Sequence, residues 1–185
     1  MNPQINDDEI VISIVPILKP YLYSIAYGDD DDQFDKFFDF HNNVTMVRDF
    51  LIANAHYLTD NPVWKNIPNV ESATRQVLWE AKELEEMLYA RADNAEAGKE
   101  PDLDSHFRYL DGPYRDTFEY VPVKSYGPGR PSLLRLYAIK LERNRYVITG
   151  GGIKLSDKIQ TSPGLKDCVM NDIRRARDYI SCISM

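Results

Sequence analysis

Residues 133–160, LLRLYAIKLERNRYVITGGGIKLSDKIQ, constrain the fold more than any other segment of the chain. Two runs rich in aliphatic and aromatic residues flank a short polar turn at residues 142–144, which is the pattern of a β-hairpin. Over residues 153–160 apolar and polar residues alternate, which predicts a third strand with Lys154 and Lys158 on one face. Such a face suits contact with phosphate groups, and it equally suits a sheet face that meets only solvent.

Two other segments carry residue types found in ligand-binding loops, but their spacing indicates structural roles. Glycines 150–152 lead from one predicted strand into another and lack the Gly-Lys-Ser/Thr ending of a phosphate loop, so they predict a bend or bulge. The four aspartates at residues 29–32 would place Phe34 and Phe40 where a calcium loop needs glycine and glutamate, and they predict a helix cap instead. We expect no metal site, because no zinc-ligand spacing links the three histidines, His41, His56 and His106.

The first half predicts a second hairpin followed by helices. Residues 11–28 hold two strand-like runs joined at Lys19-Pro20, and their prolines favour a sheet edge. Helical spacing follows, and the longest helix is expected over residues 70–92, with Glu80 away from its apolar face. A polar loop at residues 94–104, broken by glycine and proline, leads into the second half.

The second half predicts further strands and a final helix. Residues 118–126 predict a strand and residues 126–131 a turn, while Ser162 as N-cap and Pro163 at the first helical position begin a helix to about residue 180. The whole chain is therefore expected to form a single α+β domain, with a twisted antiparallel sheet packed against helices. Its parts are the N-terminal strands (1–28), an acidic helical insert (29–104), and a basic sheet with a C-terminal helix (105–185).

Charge divides unevenly along the chain. Residues 1–104 hold 8 lysines and arginines against 21 aspartates and glutamates, a net charge of −13, whereas residues 105–185 hold 14 against 8, a net charge of +6. A basic half suits contact with a polyanion, which the acidic half would oppose. Alternatively, the two halves attract each other within one fold.

The sequence predicts a cytoplasmic protein that does not span a membrane. No stretch approaches the roughly 20 uncharged apolar residues that a membrane span needs. The N-terminus lacks the basic start of a signal peptide. Cys168 and Cys182 are placed in one helix about 21 Å apart, too far for a disulfide, so we expect them to be free.

Candidate functional residues are basic residues and tyrosines rather than a conventional catalytic set. Asp111, Asp116 and Glu119 are spaced no differently from solvated carboxylates. Strand parity places Arg135 and Tyr137 on one face, with Ile139 beyond them. Basic and aromatic side chains together bind phosphates, stack on bases and stabilise the charge that develops during RNA cleavage. The set is Lys124, Tyr126, Arg130, Arg135, Tyr137, Lys154 and Lys158.

The order of elements, with residues 133–163 at its centre, resembles the RelE/ParE superfamily of bacterial toxins, and most nearly its HigB-like branch. Members carry an arginine-bearing strand, a short turn, an apolar strand and a stretch of the form hGFxKKTxKTP. The corresponding parts here are Arg135, residues 142–144, residues 146–149 and the sequence GGIKLSDKIQTSP at residues 151–163. The resemblance covers residues 105–180 well and the first hundred residues only by element order.

This resemblance implies an mRNA endoribonuclease that needs no metal or cofactor and acts on free or ribosome-bound message. In the family, basic residues and a tyrosine help the ribose 2′-OH attack the adjacent phosphate. By position the catalytic residues would be Arg135, Lys154, Lys158 and Tyr137, and Lys124, Arg130 and Tyr126 would bind RNA. The implied partner is a helix-turn-helix antitoxin that masks the basic face.

The chain departs from the family pattern in length, acidity and one motif position. Family toxins are near 100 residues and strongly basic, and they commonly have a second lysine where this chain has Leu155. One hypothesis is that the acidic insert covers the basic face. The other is that the fold persists without nuclease activity, as a protein-interaction module or an inactive accessory protein of phage origin.

Overall fold

A six-stranded sheet forms the centre of the fold, and helices pack on both of its faces. The computed structural model describes residues 11–110, 120–166 and 169–183. The strands are β1 (Ile12–Leu18), β2 (Leu22–Tyr27), β3 (Arg108–Tyr109), β4 (Val121–Tyr126), β5 (Leu134–Glu142) and β6 (Arg145–Ile153). The helices are α1 (Gln33–Asn42), α2 (Val44–Ala53), α3 (His56–Asp60), α4 (Val70–Glu96), α5 (Leu103–His106) and α6 (Val169–Ile183), with 3-10 turns at Pro62–Trp64 and Ile159–Thr161. The α+β class is therefore confirmed.

The sheet is mixed rather than purely antiparallel, which corrects the sequence-based expectation. Its strand order is β1-β2-β6-β5-β4-β3. Both predicted hairpins form, with β1 antiparallel to β2 and β5 antiparallel to β6. However, β2 and β6 run parallel, with Leu22 opposite Tyr146. Parallel neighbours need a long crossover, and the insert helices lie within the connection from β2 to β6.

The predicted strand beyond the glycines does not form. β6 runs through the glycines and ends at Ile153, and the chain then turns into the Ile159–Thr161 3-10 helix. The Ser162 hydroxyl accepts a hydrogen bond from the Leu155 N–H at 2.9 Å and donates to the Ile153 carbonyl at 3.4 Å. Ser162 thus folds the chain back on itself, and Lys154 and Lys158 do not share a strand face.

The predicted bulge at the glycines is confirmed. Tyr137 pairs with Gly150 but its neighbour Ala138 pairs with Ile148, so Thr149 is the extra residue in β6. Gly150 has a φ of +134°, a conformation that side chains with a Cβ rarely adopt. The pairing of β6 with β2 covers residues 146–148 and ends before this bulge.

The insert helices pack on one face of the sheet. A core cluster joins Leu134, Leu136 and Ala138 of β5 to the apolar faces of α1, α2 and α4. Asp32 caps α1 as predicted, with its carboxylate accepting from the Phe34 and Asp35 N–H groups. Glu80 is wrongly predicted to lie off the apolar face of α4, since its exposed fraction is 0%.

Helix α6 packs on the opposite face, against Tyr137 and Ile139 of β5. The prediction that this helix begins at Ser162 and Pro163 is wrong, because residues 163–166 form turns and α6 is assigned from Val169. The Ser162 carbonyl accepts from the Leu165 and Lys166 N–H groups, which closes a turn there.

Several expectations concern residues that the structure does not describe. Asp111, Asp116, Glu119 and Cys168 lie outside the described residues, as does the start of the strand predicted at residue 118. Cys182 is free and exposed. Within residues 11–110, 120–166 and 169–183, no helix has the length and apolar character needed to cross a membrane.

Candidate functional site

Four predicted site residues converge on the sheet face that α6 shares, and we call Lys124, Tyr126, Arg135 and Lys154 the basic cluster. Tyr126 on β4 lies directly opposite Arg135 on β5. The Arg135 guanidinium lies over the Tyr126 ring, 4.1 Å from its centroid, and the Lys124 Nζ lies 5.9 Å from the same centroid. Burial lowers the pKa of Lys154, and the nearby charges of Arg135 and Lys124 lower it further.

Arg135 is held in a fixed position by its own strand. Its Nη1 donates to the carbonyl oxygens of Ser132 at 3.0 Å and Leu134 at 2.7 Å. Partial burial lowers the pKa of its guanidinium, which nevertheless stays charged. Because Nη1 makes both bonds, Nε and Nη2 have no hydrogen-bond partner among the described residues. Arg135 therefore presents unused donors from an anchored guanidinium.

Tyr137 occupies a different environment from the basic cluster. Its side chain is 1% exposed and packs with Leu110, Leu165 and Ile173. Burial raises the pKa of its hydroxyl. Parity correctly placed Tyr137 on the face of Arg135, but sequence gave no sign that the α6 region covers it. Its burial speaks against the contact with RNA that a catalytic role requires.

Lys158 and Arg130 lie outside the cluster in different ways. Lys158 is exposed and lines a separate depression with Tyr57 and Asp60, because the chain leaves the sheet after Ile153. Arg130 is exposed at the turn between β4 and β5, and its Nη1 donates to three carbonyl oxygens of residues 127–129. The charge of Arg130 contributes to lowering the pKa of Arg135, so it lies near the cluster edge.

The acidic insert does not lie over the basic cluster. Helices α1 and α4 pack on the face that carries Leu134 and Leu136, opposite to the face of Arg135. The Glu80 carboxylate of α4 acts from inside the protein and favours the charged form of Arg135. Among the described residues, the insert thus packs on the sheet face opposite to the basic cluster. This contradicts the hypothesis that the acidic insert covers the basic face.

A serine-histidine pair that sequence reasoning missed joins Ser125 of β4 to His106 of α5. The Ser125 hydroxyl is 2.6 Å from the His106 Nε2, a distance compatible with a nucleophile and its base. The Ser125 side chain is 0% exposed, and desolvation lowers the pKa of His106 to about 4. No substrate can reach such a serine, so the pair is structural. Their separation of 19 residues carries no motif that would reveal it.

The described part of the chain contains no group of three histidine, cysteine or carboxylate side chains placed to hold a metal ion. The chain matches no family model, no curated protein and no solved structure. Interpretation of the basic cluster therefore rests on its own geometry.

Proposed function

We propose that the protein binds RNA through the basic cluster, as a relative of the RelE/ParE toxins. The observation that carries this proposal is the placement of Lys124 and Arg135 against the Tyr126 ring, with Lys154 close enough for their charges to lower its pKa. None of the three forms an ion pair with a described residue. Glu80 and Asp157 favour the charged forms of Arg135 and Lys154 without forming an ion pair with them. Clustered cations that form no ion pair attract an external polyanion, and RNA supplies regularly spaced phosphates.

The arrangement of Arg135 and Tyr126 favours single-stranded RNA over a duplex. Because the guanidinium already lies on one face of the Tyr126 ring, the outer face of the guanidinium is the surface left for stacking. Single-stranded RNA places unstacked bases on arginine planes and aromatic rings, and lysines contact its backbone. In this arrangement Lys124 and Lys154 would hold phosphates on either side of a base stacked on Arg135.

RNA cleavage is the further step that the family resemblance implies. Arg135 would stabilise charge on the phosphate, and Lys154, whose pKa is lowered, would exchange a proton with the 2′-OH or the leaving oxygen. The burial of Tyr137 and the separate position of Lys158 favour a second candidate, binding without cleavage. A cytoplasmic location and a helix-turn-helix antitoxin that masks the cluster belong to the same proposal.

Binding is tested by fluorescence anisotropy with labelled single-stranded RNA at several salt concentrations. Lys124→Ala and Lys154→Ala should each weaken binding and reduce the slope of log affinity against log salt by about 0.7, the value for one phosphate contact on a single strand. Lys158→Ala is the matched control, because Lys158 is an exposed lysine of the same half on another surface. Equal effects at all three positions would show that binding follows net charge rather than the basic cluster.

Cleavage is tested separately, by incubating mRNA with the protein in the presence and absence of ribosomes and by inducing its expression in cells. Cleavage and growth arrest by the wild type, both lost in Arg135→Ala with Lys154→Ala, would support the nuclease. RNA binding without cleavage or growth arrest would identify a binding module. Absence of both activities would overturn the proposed function.

A further inference from the structure

A pocket of about 320 Å³ lies between α1 and the glycine-rich end of β6, at the lower end of the size range of small-molecule sites. It exists because β6 pairs with β2 only over residues 146–148, so that no described strand continues along that edge. Helix α1 lies across the opening and contributes Phe37, Phe40 and His41, and Phe50 of α2 closes one side.

Backbone rather than side chains forms the opposite wall, where residues 150–152 and Gly164 line the pocket. A Cβ at residue 152 would lie 2.7 Å from the Gly164 carbonyl oxygen, and a Cβ at residue 164 would lie 2.7 Å from the Ile153 carbonyl oxygen. Glycine is therefore required for the two chain segments to approach so closely. The result is a pocket with peptide planes on one side and aromatic rings on the other.

His41 supplies a buried polar side chain to this pocket, whose lining also includes the polar side chains of Gln33 and Lys36. Its Nδ1 lies 2.6 Å from the Phe37 carbonyl oxygen, and because a carbonyl only accepts, Nδ1 carries the proton. Burial lowers the pKa of His41 to about 4, so the ring is neutral at pH 7. Its Nε2 therefore holds a lone pair and has no hydrogen-bond partner among the described residues. The side chain is only 3% exposed, yet its Nε2 is not among the buried polar atoms left without a partner, so the pocket leaves this acceptor open to a donor.

We propose that this pocket binds a small planar aromatic molecule whose single N–H or O–H group donates a hydrogen bond to the His41 Nε2. The rings of Phe37 and Phe40 lie 4.3 and 4.9 Å from the His41 ring between centroids, and they give the ligand flat apolar surroundings. Lys36 at the rim is paired with Asp30 at 3.1 Å, so no unpaired rim cation is left for an anionic ligand. The ligand is therefore a neutral one, and the inference does not depend on RNA binding.

Indole and 1-methylindole are the probes, because they differ in the ring N–H that His41 would accept. We expect the wild-type protein to bind indole saturably in calorimetry, about tenfold more tightly than 1-methylindole, the value of one hydrogen bond. His41→Phe keeps an aromatic ring but removes the acceptor, so the two probes should bind it equally. His56→Phe makes the same chemical change at an exposed histidine of α3 and should retain the tenfold preference.

A measurement on the wild type alone protects the test against a variant that folds poorly. The ¹⁵N resonance of the His41 Nε2 should move on addition of indole and stay in place on addition of 1-methylindole, since only indole donates to it. Equal affinity for the two probes, or binding that leaves the Nε2 resonance unchanged, would overturn the assignment of His41. Absence of saturable binding by indole and by 1-methylindole would overturn the pocket as an aromatic ligand site.

Discussion

Glu80 is a buried carboxylate that binds the backbone at the start of β5. Its oxygens accept hydrogen bonds from the backbone N–H groups of Leu133 and Leu134, and from the side chains of Ser132 and Gln76, at 2.7–3.1 Å. The preceding turn fits around it without side chains, since a Cβ at either Gly127 or Gly129 would clash with the carboxylate. Glu80 thereby fixes the strand end from which Arg135 projects.

Replacing Glu80 with glutamine should destabilise the protein by about 2–4 kcal/mol. The amide group would place N–H donors against backbone N–H donors, and each buried donor left without an acceptor costs about 1–3 kcal/mol. The loss is measured as the free energy of unfolding in a urea titration. Glu83→Gln is the control on the same helix, where the side chain is exposed and a change below about 0.5 kcal/mol is expected. Similar losses in the two variants would contradict the role given to Glu80.

Helix α1, which follows β2 and forms one wall of the pocket, is stabilised by a cap at its first turn. The Asp32 carboxylate accepts from the N–H groups of Phe34 at 2.9 Å and Asp35 at 3.2 Å. Asp32→Ala should therefore cost about 1 kcal/mol in the free energy of unfolding. Asp31→Ala removes an equal charge from the neighbouring exposed residue without removing the cap. The cap is unimportant if urea titrations give the same small change for both variants.

Elements set by neighbouring residues could be predicted from the sequence, and those set by distant contacts could not. The two hairpins, the capped helix α1 and the bulge at Gly150 follow from local patterns. The parallel pairing of β2 with β6 has no local signal, because it depends on how the insert crosses the sheet. Residues 153–160 alternate like a strand, yet the hydrogen bonds of Ser162 fold the chain into a turn after Ile153.

The same distinction explains the outcome for the candidate site. Strand parity correctly related Arg135 to Tyr137, because both belong to β5. Strand parity gave no information on what packs against each side chain. Tyr137 was therefore expected to be exposed, but the residues around α6 cover it. Lys158 was grouped with Lys154 through the family motif and through a strand that does not form.

At the level of the complete molecule, the sheet separates the acidic and basic parts of the chain. The insert helices and the basic cluster lie on opposite faces. One ion pair, Lys140 with Asp104 at 2.9 Å, joins a residue of the basic half to the last residue of the acidic part. Arg135 and Lys154, by contrast, form no ion pair with a described residue. Ion pairing between the two halves therefore does not involve the cations of the basic cluster, which remain available to an external anion.

Two buried histidines make the stability of the whole protein depend on pH. The pKa values of His41 and His106 are each lowered to about 4, mainly by desolvation, against about 6.5 in an unfolded chain. Between these values the unfolded chain binds protons that the folded chain does not, so the free energy of unfolding falls as the pH falls. We expect a loss of about 2 kcal/mol per histidine between pH 7.5 and pH 5. The raised pKa values of Asp35 and Glu85 act in the opposite direction.

Urea titrations at pH 7.5, 6 and 5 separate the contribution of His41 from that of the other groups. His41→Phe removes one of the two titrating rings, so its free energy of unfolding should fall with pH about half as steeply as that of the wild type. His56→Phe replaces an exposed histidine and should keep the full dependence. A pH dependence unchanged by His41→Phe would mean that His41 is accessible to protons in the folded protein. That result would also remove the basis for a neutral acceptor in the pocket, because a charged ring has no lone pair on Nε2.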